Sequence, residues 1–285
     1  MERLEQYRVK PGLDIWEIPP KATAKILGIG ISDLQKAWAE LSAYPMRRKG
    51  DAIVPGEVQW VNGDNEALEM YRHGTRTKRN KMWFQTDDPL TNGFLVYKYT
   101  YHQNLVVPAT FDATKCPQLA RITEAYNKRI CEPLGAKRAN HGIATEYENG
   151  DDCITPHGDD ASTLTPSDSD GISLIGILKM GENGRPFDFA KDKSSAPFFS
   201  KVLPPITLIL MTLEANSSTV HSVPSVRNCG PSGSVCFRTC LNRLSVEELR
   251  TELELRGPGA KKEGRRPAAA AANSEAAIAL ASVSI

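Results

Sequence analysis

The sequence has no apolar run that approaches the roughly 20 residues of a membrane-spanning helix. Its first eight residues, Met1–Arg8, are rich in charge and lack the apolar core of a secretory signal peptide. We therefore expect a protein that does not enter the membrane and that resides in the cytoplasm or the nucleus.

Cysteine pairs at metal-binding spacing are also absent. The six cysteines form no CxxC pair and no zinc-finger spacing, and without a secretory signal we expect reduced thiols. The chain also has almost no excess of positive or negative charge, since 35 Lys and Arg residues nearly balance 34 Asp and Glu residues. The molecule as a whole is therefore not a polycation that binds nucleic acid through its overall charge. Any nucleic-acid binding must come from a local basic patch.

The composition is that of a globular protein with a sizeable core, because 40% of the 285 residues are hydrophobic and 24% are charged. Changes in sequence character divide the chain into three parts. We expect an N-terminal extension with a helix at 1–50, the main domain at 51–240, and a short helix with a disordered basic and alanine-rich tail at 241–285.

Helices are predicted before the middle of the chain. After an irregular lead, apolar residues at helical spacing indicate a helix over Ser32–Ser42, and a second such pattern runs from near Cys116 to Cys131. Past the main domain, Leu244–Gly257 is typical of a short helix with a capping box formed by Ser245 and Glu248. This helix and the basic stretch behind it also faintly resemble a DNA-binding SAP motif.

Short β-strands separated by Gly and Pro dominate the region from Asn140 to Thr239. The strand candidates are Phe94–Tyr101, Ile143–Tyr147, Ile172–Met180, Pro186–Phe189, Ile206–Leu213 and Val235–Thr239. Many short strands with such punctuation favour a mainly β fold with flanking helices and a jelly-roll core.

Three residues have the spacing of a metal site. His157 and Asp159 lie two positions apart, so in an extended strand they point to the same side, and His221 follows 64 residues after His157. Two His and one carboxylate form the facial triad that holds non-haem Fe(II) and leaves positions open for O2 and an organic co-substrate.

Three blocks of sequence surround the candidate triad in a fixed order. Tyr147, Gly150 and Ile154 precede His157 and Asp159 in the pattern Y-x2-G-x3-I-x2-H-x-D-D. The second block is Ile172–Gly176 with Gly184–Phe189, and the third is His221–Pro224 with Gly230–Arg238. Together these blocks resemble the AlkB-like family of Fe(II)/2-oxoglutarate-dependent dioxygenases.

This resemblance implies a double-stranded β-helix in which His157, Asp159 and His221 bind Fe(II), with 2-oxoglutarate and O2 as co-substrates. It further implies that Arg238 meets a carboxylate of 2-oxoglutarate, a role that suits its planar and permanently charged guanidinium. Tyr147 matches a tyrosine whose hydroxyl supports the same ligand. The reaction implied is hydroxylation of a C–H bond.

Two departures from the family pattern bear on the co-substrate and the substrate. Ser232 occupies the position of a second arginine that, in the family, pairs with the far carboxylate of 2-oxoglutarate. Either Arg227 or Lys179 replaces this arginine, or the co-substrate is held weakly or differently. Thr145 and Ser234 stand where the family has asparagine. Ala161 stands where base-repairing members carry an acidic residue.

The expected substrate is an N-alkylated base in DNA or RNA, removed by oxidative demethylation. Basic residues before Trp83 suit contact with single-stranded nucleic acid, with Trp83 or Tyr99 available for stacking. These residues are Arg72, Arg76, Lys78, Arg79 and Lys81. The alternatives are a small-molecule oxygenase acting on an amino acid or secondary metabolite, and a non-enzymatic member that only binds nucleic acid.

Overall fold

The structure is a computed structural model that describes residues 2–43, 68–70, 80–86, 92–95, 97–98, 105–107, 109–110, 114, 116–245, 247–248 and 251. Its helices are α1 Pro20–Leu27, α2 Ile31–Ala43, α3 Pro117–Tyr126 and α4 Leu213–Ser218. Its strands are β1 Ile15–Ile18, β2 Leu68–Met70, β3 Asn80–Gln85, β4 Phe94–Leu95, β5 Tyr97–Lys98, β6 Leu105–Val107, β7 Ala109–Thr110, β8 His141–Tyr147, β9 Ile154–His157, β10 Leu174–Gly181, β11 Arg185–Ala190, β12 Phe199–Leu203, β13 Leu208–Thr212, β14 Val220–Val223, β15 Ser232–Arg238 and β16 Arg243–Leu244.

Two sheets carry the fold. The larger sheet has the strand order β1-β13-β10-β15-β8-β3-β7, and the smaller has the order β12-β11-β14-β9. The eight consecutive strands from β8 to β15 contribute four strands to each sheet, and all of the pairings among these eight are antiparallel. Such alternation between two facing sheets is that of a jelly roll, the double-stranded β-helix predicted from the sequence.

Side-chain alternation gives the larger sheet two different faces. On β15, Ser234, Cys236 and Arg238 point into a cavity between the sheets, whereas Val235 and Phe237 belong to the core on the opposite side. The core on that side also contains the apolar faces of α1, α2 and α3.

Glycines on the helical side of the larger sheet let bulky rings approach the backbone. A Cβ at Gly233 would lie 2.1 Å from the Trp38 ring of α2, and one at Gly176 would lie 2.5 Å from the Tyr126 ring of α3. The flanking helices therefore press directly on the strands whose other face lines the cavity.

The first residues are more ordered than the irregular lead expected from the sequence. A 3-10 helix, Glu2–Tyr7, precedes β1, which pairs with β13 at the edge of the larger sheet. Helix α1 then begins with Pro20 and ends at Gly28, whose φ of 63° provides a left-handed cap. Strand β1 was not predicted from the sequence, because its four residues are too few to show a strand periodicity.

The other helix and strand predictions are largely confirmed. Helix α2 covers the predicted segment, and α3 continues as a π-helical turn, Asn127–Cys131. The strand expected to reach Leu213 ends at Thr212, because the hydroxyl of Thr212 accepts a hydrogen bond from Ala215 N (3.2 Å) and starts α4. The strand expected over Phe94–Tyr101 is represented by β4 and β5, and its remaining residues lie outside the described part.

The C-terminal capping box is also present. Glu248 N donates to the Ser245 hydroxyl at 3.2 Å, and Ser245 N donates to the Glu248 carboxylate at 2.8 Å. The expected disordered tail lies outside the described residues. Within the described part of the chain, no helix is long and apolar enough to cross a membrane.

Candidate metal centre

The two strands that carry the histidines are neighbours in the smaller sheet. His157 ends β9, and its register partner on β14 is His221. Asp159 follows two residues after His157, where the chain leaves the strand. The jelly-roll topology thus brings together residues that are 64 positions apart in the sequence.

The three side chains converge on one point. His157, Asp159 and His221 each offer one ligand atom, and these atoms lie within 4.8 Å of one another. Among the described residues, no other group of three His, Cys, Asp or Glu side chains is arranged in this way. His141 lies on β8, opposite Arg238, and does not belong to the cluster, whereas His73 and His102 lie outside the described residues.

Electrostatics favour the ionisation states that a metal requires. Burial alone would raise the pKa of Asp159, but Arg238 and the two imidazoles hold it below its usual value. Burial, together with His157, lowers the pKa of His221 to about 3. The centre therefore presents an anionic carboxylate and a neutral imidazole.

Neighbouring groups orient the candidate ligands. His157 Nδ1 lies 2.9 Å from the carbonyl oxygen of Thr155, so the tautomer that donates there leaves Nε2 for a metal. Arg238 Nη1 lies 3.2 Å from Asp159 Oδ1. The buried atoms Asp159 Oδ2 and His221 Nδ1 have no hydrogen-bond partner among the described residues. This set of two imidazole nitrogens and one carboxylate oxygen fits Fe(II).

The cluster opens onto a cavity of about 750 Å³ between the two sheets. Three adjacent strands place Thr145, Ser234 and Lys179 side by side on the cavity wall. Tyr147 lines the same wall, and Lys179 Nζ lies 5.5 Å from the centre of its ring. A cation and several hydroxyl groups thus meet at one end of the cavity.

Lys179 is buried, and its ammonium nitrogen has no hydrogen-bond partner among the described residues. Burial, with a further contribution from Arg185, lowers its pKa from 10.5 to about 7. An unsatisfied buried amine beside hydroxyl groups is suited to bind a carboxylate that enters the cavity.

The two cations expected to replace the missing arginine behave differently. Lys179 lines the cavity, whereas Arg227 is exposed on the loop after β14 and is not among the residues that line it, so Lys179 is the better placed of the two. Arg185 was not among the site residues predicted from the sequence. Its guanidinium is fully buried against the Tyr147 ring and lies 3.4 Å from the Ser232 hydroxyl.

Arg185 also holds the loop that leads to the metal motif. It donates to the carbonyl oxygens of Asn149 (3.0 Å) and Asp152. Arg185 belongs to the block Gly184–Phe189 that carries the family resemblance, but this pattern does not reveal that the side chain turns inward.

Arg238 faces the cavity from β15, which pairs with the strand that carries Tyr147. Its Nη1 atom forms an ion pair with Oδ1 of Asp159, a candidate metal ligand. The guanidinium thus engages one oxygen of the carboxylate, and the other, Oδ2, is buried without a hydrogen-bond partner among the described residues.

The expected nucleic-acid contacts are largely beyond the described residues. Arg72, Arg76, Lys78, Arg79 and Tyr99 lie outside them, and for Lys81 and Trp83 only the backbone of β3 is described. Ala161, in contrast, is exposed in a 3-10 turn that lines the cavity.

No family model and no curated protein matches the chain. Among solved structures it is similar to a prolyl-4-hydroxylase from Pseudomonas putida, with 11% sequence identity and a TM-score of 0.39. That similarity covers 80% of this chain and 94% of the hydroxylase chain. The double-stranded β-helix rests on the strand order of this chain, independently of that similarity.

Proposed function

We propose that this protein is a Fe(II)/2-oxoglutarate-dependent dioxygenase of the AlkB-like type that hydroxylates a C–H bond. The observation that carries the proposal is the convergence of His157, Asp159 and His221 on the wall of a cavity between two jelly-roll sheets. When bound there, Fe(II) would supply activation of O2 coupled to the oxidation of 2-oxoglutarate to succinate and CO2.

The metal would be held by the imidazoles of His157 and His221 and the carboxylate of Asp159. Thr155 fixes the orientation of His157 through its carbonyl oxygen, and Arg238 fixes that of Asp159 through an ion pair. Because Arg238 occupies Oδ1, Asp159 can offer Oδ2 as a single ligand atom. This arrangement leaves the cavity side of the centre open to the co-substrates.

The far carboxylate of 2-oxoglutarate would bind at the wall formed by Lys179, Thr145 and Ser234, with the Tyr147 hydroxyl beside it. Lys179 supplies the positive charge that Ser232 does not. A charge-assisted hydrogen bond of this kind contributes about 1.5–3 kcal/mol. Arg185 supports the same wall by packing against Tyr147.

The proposed substrate is an N-alkylated base in DNA or RNA, which the enzyme would take out of its stack and demethylate oxidatively. The basic run that ends at Lys81 supports this proposal. A second candidate is an amino acid or secondary metabolite. Ala161 favours it, because the cavity lacks a carboxylate at the position where base-repairing relatives carry one.

The proposed activity can be tested without knowing the substrate. Fe(II)-dependent formation of succinate from 2-oxoglutarate should be detectable as slow uncoupled turnover by the purified full-length chain. It should be lost in the His157→Ala and Asp159→Ala variants, because each removes a metal ligand.

The matched control is Asp170→Ala, since Asp170 is an exposed carboxylate that does not line the cavity. It should retain wild-type turnover. Equal succinate formation by wild type and both ligand variants would refute the proposal, as would the absence of metal-dependent turnover in wild type.

A further inference from the structure

A buried asparagine holds the backbone of the metal ligand Asp159. The Oδ1 atom of Asn216 accepts a hydrogen bond from Asp159 N at 2.8 Å, and its Nδ2 donates to Asp159 O at 3.0 Å. The side chain is only 2% exposed. A single amide side chain therefore satisfies both backbone polar groups of the residue that presents the carboxylate.

The position of Asn216 is fixed by its own helix. It lies on α4, the short helix between β13 and β14, so it is only five residues before His221. Thr212 caps the start of α4, and the Thr219 hydroxyl donates to Ala215 O at 2.7 Å at its end. The helix thus connects the strand of one candidate ligand to the loop of another.

A second contact draws the ligand loop against α4. A Cβ at Gly158 would lie 3.0 Å from the backbone carbonyl oxygen of Asn216, closer than ordinary van der Waals contact. The glycine between His157 and Asp159 therefore permits the close approach that the paired hydrogen bonds require. Both contacts involve residues of the metal motif itself. We call the paired hydrogen bonds between the Asn216 side chain and the Asp159 backbone the Asn216 clamp.

The same paired amide contact occurs elsewhere in the fold, away from the metal cluster. Asn127 accepts from Ala139 N at 2.8 Å and donates to Ala139 O at 3.1 Å. Asn127 is 3% exposed, so its burial resembles that of Asn216. The chain thus provides a matched control in which the clamped residue is an alanine rather than a metal ligand.

We propose that Asn216 is a positioning residue that pre-organises Asp159 for metal binding, an inference that rests on the proposed function above. Without the clamp, the loop after β9 would have to be ordered when the metal binds, and part of the binding free energy would be lost. Loss of a group that orients a metal ligand typically weakens metal affinity about 10–100-fold.

The test compares Asn216→Leu with Asn127→Leu, because each substitution removes two hydrogen bonds while keeping the branching and the number of heavy atoms of the side chain. Thermal unfolding of the metal-free proteins would measure stability, and titration with Co(II) without oxygen would measure affinity and the visible absorption of the bound ion. Both variants should lose stability. Only Asn216→Leu should bind Co(II) at least about tenfold more weakly with an altered spectrum.

If the Co(II) affinity is unchanged in Asn216→Leu, or is weakened equally in both variants, the proposed positioning role of Asn216 is refuted. If Asn216→Leu does not fold, Asn216→Ser takes its place, with Asn127→Ser as its control, and the same outcomes apply. Failure of the wild-type chain to bind Co(II) would instead overturn the proposed function, so the two failures can be distinguished.

Discussion

At the scale of single residues, the buried pair Arg238–Asp159 controls the charge of the centre. Asp159 is held anionic in a buried environment by a guanidinium that is itself only 1% exposed. Removing one member of such a pair leaves the other charge buried without an opposite charge. This loses more folding stability than replacing both members by apolar residues.

We therefore expect Arg238→Met to destabilise the metal-free protein by about 3–5 kcal/mol. Urea unfolding would measure the change. Arg138→Met serves as the control, because Arg138 is half exposed where it pairs with Glu124 and Glu132. Surface pairs contribute about 0–1 kcal/mol, so a similar loss in both variants would contradict the role given to Arg238.

We expect the affinity for 2-oxoglutarate to depend on pH, because the pKa of Lys179 lies near neutrality. Its pKa of about 7 means that the free protein loses this ammonium charge as the pH rises above neutrality. Binding a carboxylate requires the charged form, so affinity should fall with rising pH, approaching tenfold per pH unit above about pH 7.5. The groups that act on Lys179 are Arg185, which lowers its pKa, and Cys229, which raises it.

Calorimetric titration with 2-oxoglutarate between pH 6.5 and pH 8.5, limits that span the pKa of about 7, would test this prediction. Lys179→Arg keeps a cation that does not titrate in that range and should remove most of the dependence. Lys179→Met should bind weakly at every pH. A wild-type affinity that is independent of pH would exclude Lys179 from the co-substrate site.

At the scale of elements, the helices and the cavity share the strands of the larger sheet. Gly176 on β10 gives Tyr126 room to pack, while Lys179 three residues later lies on the cavity wall. The Tyr126 ring also stacks on Phe237 of β15 at 4.8 Å. Packing on one face therefore fixes the strands that carry polar groups on the other.

Gly176→Ala should destabilise the protein by about 1–3 kcal/mol, because its Cβ would overlap the Tyr126 ring. Chemical unfolding would measure the change. Gly30→Ala is the control, since its nearest contact would be the Ser32 hydroxyl at 4.0 Å, and it should change stability by less than about 0.5 kcal/mol. Equal effects would show that helix α3 does not constrain β10.

The sequence alone was sufficient to predict the metal cluster and the jelly roll. The spacing of two positions between His157 and Asp159, together with the distant His221, indicated the cluster, although Asp159 lies just beyond the end of β9. Arg185 and Asn216 could not be predicted in the same way. Their partners lie 33 to 57 positions away, and only strand register and the short helix α4 bring them together.

At the scale of the whole molecule, the formal net charge is only +1, so the proposed nucleic-acid binding would depend on a local patch such as the basic run that ends at Lys81. Changing Arg76, Lys78 and Arg79 together to Ala should weaken binding of a single-stranded oligonucleotide. For three lost phosphate contacts, the slope of log affinity against log salt should fall by about 2.

Fluorescence anisotropy over a range of salt concentrations would measure both effects. Uncoupled turnover of 2-oxoglutarate should be retained in the triple variant, because the change is directed at the substrate rather than the metal. An oligonucleotide affinity equal to that of wild type would argue against the nucleic-acid substrate and in favour of a small molecule.

The central claim is that His157, Asp159 and His221 hold one Fe(II) on the wall of the cavity. Anomalous diffraction from crystals loaded with Fe(II) without oxygen would test it most directly. We expect one iron peak with two imidazole nitrogens and one Asp159 oxygen about 2.0–2.2 Å away. Iron at another place, or none in fully reduced crystals, would contradict it.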